Sequence, residues 1–122
     1  MYGLPSDTNL DFIKSTTLIQ VCFGPHDLIL NFHLTVSQTV SISIYSSLAV
    51  GRVGTNLLRH TSFEEISREI LSLLNKEVLN VSWRPDGTVS LTFEGNDLLE
   101  IYDGSVNYES YTISGPAGLI VV

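Results

Sequence analysis

Cysteine is almost missing from this sequence. Cys22 stands alone, so neither an internal disulfide nor a multi-thiolate metal site can form, and the usage fits a reducing compartment. Basic residues are scarce too. Six Lys and Arg face thirteen Asp and Glu, a formal charge of −7 over 122 residues, which repels a phosphate backbone and argues against nucleic acid as a direct ligand. No apolar run nears the roughly 18 residues that a spanning helix needs; the longest pieces are short, such as Leu119-Ile120-Val121-Val122. Met1 to Asp11 lacks the basic region, apolar stretch and small-residue cleavage site of a signal peptide. The expectation is a soluble cytoplasmic protein with no membrane association, in which residues 1–15 form a mobile N-terminal segment. There is no His-x-x-x-His, no Gly-x-Ser-x-Gly and no glycine-rich phosphate loop.

What is present is apolar and strand-like. With 43% hydrophobic residues, the chain has enough surface to bury for one domain spanning residues 1–122. Leu18 to Phe23, Leu28 to Leu34 and Val40 to Tyr45 alternate or run apolar in short pieces, which predicts three strands. Gly24-Pro25-His26-Asp27 supplies the turn between the first two. Val40, Ile42 and Ile44 share one face against Ser41 and Ser43, as in a sheet with one wet side. Gly51 to Arg59 has no sustained period and reads as a loop. Ser62-Phe63-Glu64-Glu65 has the form of a capping box, and Phe63, Ile66, Ile70, Leu73 and Leu74 recur at helical spacing up to a stop at Asn75.

The register of the last section follows from side-chain parity. Leu79, Val81 and Trp83 share the core face with Val89, Leu91 and Phe93 only if the connecting loop is odd, and Pro85-Asp86-Gly87 supplies three residues. Pro suits a type I turn and Gly the left-handed position after it. The same test on Leu99 and Ile101 is met by Gly95-Asn96-Asp97. Tyr108 to Ile113 and the C-terminal residues predict two further strands. The expected fold class is α+β: a mainly antiparallel sheet of short strands and hairpins, with one amphipathic helix over about 62–75 packed on it.

Candidates for chemistry are few. His26, His33 and His60 occupy no metal-ligating spacing. Cys22, which shares parity with Leu18 and Gln20, reads as an inert half-buried thiol; as a nucleophile it would need a nearby base, and His33 is the only candidate. No catalytic residue, cofactor or metal is expected, and the chain reads as a binding protein and not an enzyme. Charge is more informative. Residues 1–84 hold all six basic residues and seven acids, whereas residues 85–122 hold six acids and no base. Those six are Asp86, Glu94, Asp97, Glu100, Asp103 and Glu109. With Tyr102 and Tyr108 they form the expected partner-binding face, suited to steering and docking a positively charged protein. Trp83 and Tyr111 fall to the interior by parity.

One stretch carries a resemblance. Phe93-x-Gly95-x-x-Leu98-x-x-Ile101, then Asp103-Gly104, then Tyr108-Glu109-Ser110-Tyr111-x-Ile113-Ser114-Gly115, resembles a family of small bacterial domains. Ile19-x-Val21-x-Phe23-Gly24 followed by Leu28-x-Leu30-x-Phe32 is similar to that family's N-terminal hairpin. Its members resemble immunity proteins of contact-dependent growth inhibition and other polymorphic toxin systems, which neutralise a cognate toxin domain by binding it. The family pattern usually has Trp where this chain has Tyr111. The resemblance implies an intracellular inhibitor of a toxin, a basic nuclease by the charge balance. The alternative is a small-ligand or peptide-binding module without catalysis, built around an apolar pocket of Trp83, Phe93 and Tyr111. Glu109 is not dictated by any hairpin, and reads either as a carboxylate holding the turn or as a partner contact.

Overall fold

The computed structural model describes residues 3–104, 107–116 and 118–122. Among the described residues nine strands form two antiparallel sheets. β1 (Thr17–Phe23), β2 (Leu28–Thr35), β3 (Gln38–Ile44), β8 (Tyr111–Gly115) and β9 (Gly118–Val121) make the first, in that spatial order. β4 (Ser47–Arg52), β7 (Asp97–Tyr102), β6 (Val89–Phe93) and β5 (Val78–Trp83) make the second. Alternation decides which face each strand buries. Leu28, Leu30 and Phe32 of β2 lie against Val40, Ile42 and Ile44 of β3, and all six are buried. From the second sheet Val89, Leu91, Phe93, Leu99 and Ile101 enter the same core.

Two seams join the sheets. At one edge β1 bridges to the start of β5 through Thr17 and Glu77, supported by the Leu18 amide donating to the Lys76 carbonyl at 3.1 Å and the Val78 amide to Thr16 at 2.8 Å. At the opposite end the chain leaves the first sheet at Ile44 and enters the second at Ser47. That corner is held by the Ser110 carbonyl, which accepts from the Tyr45 and Ser46 amides at 2.9 and 3.2 Å. Ser110 is fully buried, and its own amide donates to Val122, the buried C-terminal residue. Tyr111 crosses the core from the first sheet, and its hydroxyl donates to the Gly87 carbonyl of the second sheet's turn at 2.6 Å.

The mainly antiparallel architecture with a short helical segment fits a small α+β or mainly-β fold. Several details depart from the sequence reading. The helix does not run from 62 to 75: a 3-10 turn at Glu64–Ile66 leads into α1 (Ser67–Leu71), and the chain then coils through Asn75, whose φ of 69° ends it. The capping box is not made, since no side chain caps the turn and Glu65 instead faces His60 at 3.6 Å. Phe63, Ile66, Ile70 and Leu73 are buried as the stripe requires, but Leu74 points outward. The segment Gly51 to Arg59 is not all loop, because Gly51 and Arg52 end the edge strand β4, pairing with Leu98 and Asp97.

Irregularities explain the parity errors. A register shift between Val78 and Asn80 leaves Leu79 exposed and gives its expected core place to Val78. A second shift between Leu18 and Gln20 separates those residues, with Leu18 in the core and Gln20 and Cys22 on the outer face. The Pro85-Asp86-Gly87 turn forms as expected, with Gly87 at φ 95°. The next turn spans Glu94-Gly95-Asn96, so Leu91 faces Leu99 and not Ile101, a slip of two that preserves parity. Residues 3–15, expected to be part of a mobile segment, instead cover the core: Leu10 and Ile13 are fully buried, each contributing about 1.5–3 kcal/mol by the usual transfer scale.

Candidate functional site

The eight residues expected on one acidic face lie at four separate places. Asp86 and Asp103 share one end of the second sheet. The exposed Asp86 carboxylate accepts from the Thr88 amide at 2.9 Å, and that bond, ahead of any charge effect, holds its pKa below the usual carboxylate range. Burial alone would raise the Asp103 carboxyl, but donors that include the Gly3 amide at 2.8 Å and the Ser110 hydroxyl at 2.9 Å outweigh it and lower its pKa. Glu94 and Asp97 sit at the other end, about 20 Å away along β7 at the ordinary rise per residue. Asp97 is committed to Lys76 and Arg52, and Glu94 accepts from the Glu77 amide at 3.0 Å. These acids pin the fold.

Glu100 and Tyr102 occupy a third place, on the outer face of β7. Glu100 accepts from the Ser90 hydroxyl at 2.5 Å and from the Tyr102 hydroxyl at 3.1 Å. Arg59 lies over the Tyr102 ring with its guanidinium carbon 4.4 Å from the centroid, and its Nε donates to Ser47 at 2.7 Å. Burial first, then the Glu100 charge, pushes the Tyr102 phenol up to about 12. The expected acidic face therefore carries an arginine.

Tyr108 and Glu109 form the fourth place, and here there is depth. They line an open cleft of about 860 Å³ at the corner end of the molecule. Its other walls come from the β1–β2 turn, Phe23 to His26; from Tyr45 at the β3–β4 corner; and from Thr61 to Glu64, where the helical segment starts. Each wall is fixed locally. The Gly24 amide donates to Asp27 at 2.9 Å to close the turn, the Tyr45 amide is held by Ser110, and the motif Tyr108-Glu109 immediately precedes that buried serine. Glu109 is exposed and lines the cleft, while carboxylates elsewhere accept the turn amides. Tyr108, Phe23 and Tyr45 are 63%, 40% and 37% exposed, well above what aromatic rings retain in a core. Glu64 and Glu109 contribute two carboxylates, and among the described residues no Lys or Arg lines the cleft.

The remaining candidates do not assemble. Cys22 pairs with Ile29, four residues along β2 from His33, which places them about 13 Å apart and out of hydrogen-bond reach. Among the described residues no group of three His, Cys, Asp or Glu is placed to hold a metal ion. Phe93 and Tyr111 are fully buried and Trp83 packs partly against the same core, so the apolar pocket expected between them is filled by side chains. Among the described residues no helix is long and apolar enough to cross a membrane. The residues that sequence reasoning missed are Phe23, His26, Tyr45 and Glu64. Their turns were legible, but nothing in a linear pattern brings them to Tyr108. No family model, curated protein or solved structure matches the chain.

Proposed function

We propose that the protein is a non-catalytic binding protein that occupies and neutralises a basic protein partner, an intracellular immunity protein acting on a toxin domain of the nuclease class. The observation that carries this reading is the corner cleft, which joins exposed aromatic rings to two carboxylates and has no lysine or arginine among its described lining residues. Exposed aromatics at a concave site are what protein interfaces concentrate at their centres. A net charge of −7 adds a field that speeds the approach of a cationic partner. The toxin-neutralising role follows from the family resemblance of the Phe93 to Gly115 stretch and the N-terminal hairpin. The dispersed acids Asp97, Glu100 and Asp103 serve the fold in this reading, and the binding role passes to the cleft and its Tyr108-Glu109 rim.

The test is retrieval of the tagged protein from its native cells, with the retained chains and the reading frame beside its gene both identified. A stoichiometric basic domain whose toxicity disappears on mixing with the purified protein is the expected result. A retained metabolite or short peptide would favour the second reading, a small-ligand module using the same open cleft. Recovery of no partner of either kind, with no neutralisation of the neighbouring gene's product, would overturn the inhibitor assignment.

A further inference from the structure

We infer that the corner cleft is built to receive a single cationic side chain, an arginine projecting from the partner, held between aromatic rings and two carboxylates. This deepens the basic-partner reading and rests on it. The cleft brings Phe23, Tyr45 and Tyr108 to one concavity with Glu64 and Glu109. Ring faces attract cations through their quadrupole, and a guanidinium both stacks on such faces and forks to a carboxylate. The fold already uses that chemistry once, at Arg59 over Tyr102, where the cation is supplied internally. In the corner cleft no Lys or Arg lies among the described lining residues, so the chain supplies no such internal cation there.

The cleft is also set apart from Asp86, Asp97, Glu100 and Asp103. Asp97 is paired with Lys76 and Arg52, Glu100 is beside Arg59 across Tyr102, and Asp86 and Asp103 bond backbone amides. An arriving arginine therefore finds in Glu64 and Glu109 carboxylates that share a cavity with rings and with no lysine or arginine.

The experiment is an NMR titration of the full chain with N-acetyl-arginine amide, and in parallel with N-acetyl-citrulline amide, which has the same shape without the charge. Saturable shifts at Tyr45, Tyr108 and the Gly24 amide with the arginine probe are expected, at least tenfold tighter than with citrulline. The Glu64→Gln/Glu109→Gln double variant should weaken arginine binding about tenfold and leave citrulline unchanged; both positions are exposed, and a matching spectrum elsewhere verifies the fold. Equal response to the two probes, shifts centred on Asp86 or Glu94, or no shift at millimolar probe each overturns the inference. If a basic partner is still retrieved and neutralised in that case, the binding reading stands and only the arginine pocket falls.

Discussion

Replacing Tyr111 by Phe removes one oxygen from the middle of the molecule and leaves the Gly87 carbonyl without the hydroxyl that reaches it at 2.6 Å. Tyr111 is fully buried and ties β8 of one sheet to the β5–β6 turn of the other. Loss of one partner from a buried hydrogen bond costs about 1–3 kcal/mol, more than the net value of the bond, because the remaining acceptor stays desolvated. At about 2.1 cal/mol/K of unfolding entropy per residue, a chain of 122 residues shifts its midpoint by about 4 °C for each kcal/mol. Calorimetry of Tyr111→Phe should therefore show a fall of about 4–12 °C with the spectrum otherwise preserved. The alkaline limb gives an independent check. Burial first, then the charges of Asp103 and Asp86, raises the Tyr111 pKa above its ordinary value. Its contribution is complete below pH about 10, where the unfolded phenol titrates, and is lost as pH rises toward the folded value. One such group steepens the loss by about 1.4 kcal/mol per pH unit. Urea midpoints collected from pH 8 upward should fall less steeply for Tyr111→Phe than for the parent, whose remaining alkaline loss includes Tyr102. A stability change under about 0.5 kcal/mol, or an unchanged alkaline slope, would refute the buried bond between sheets.

Glycine positions separate strain from crowding. Gly87→Ala places a methyl carbon 2.6 Å from the Asp103 Cβ at a φ of 95°, whereas Gly95→Ala has a φ of 83° and no neighbour within 4 Å. Chemical denaturation should show a loss of about 1 kcal/mol for Gly95→Ala, from backbone strain alone, and about 2–3 kcal/mol for Gly87→Ala; equal losses would mean that the Asp103 contact yields freely. Acid stability tests the carboxylate that binds Gly3. The lowered pKa of Asp103 gives a contribution present above the unfolded carboxylate range and lost as pH falls through the folded value. Asp103→Asn should flatten the acid limb of the unfolding profile below pH about 4, and a limb as steep as the parent's would assign the acid sensitivity to another group.

Local pattern was sufficient for most strands. The alternation in Val40 to Ile44 put the right three residues inward because a pleated strand repeats every two residues, and the odd loop at Pro85-Asp86-Gly87 followed from the same period. Parity reasoning failed where one extra residue enters a strand, at Ile19 and Leu79, since a bulge is set by what the neighbouring strand needs and carries no composition of its own. The helix was overread for a related reason. Its apolar spacing was real, and Phe63, Ile66, Ile70 and Leu73 are buried, but the chain must leave Asn75 to reach the seam with β1, and tertiary pairing outranks a marginal helical preference.

Composition by itself determined the charge and the single thiol, and the alternation of short apolar pieces with tight turns pointed to mainly antiparallel sheets. Only the tertiary structure decided which acids are available. Asp97, Glu100 and Asp103 share a strand and its end, yet lysine, arginine, serine and backbone donors from distant segments engage them, over separations of up to 100 residues. The cleft is likewise a product of long-range closure. Phe23, Tyr45, Glu64 and Glu109 are far apart in the chain and meet because the two sheets turn their corners at the same end, around the buried Ser110. A side chain's partners depend on distance in space, and sequence periodicity reports only on neighbours along the chain.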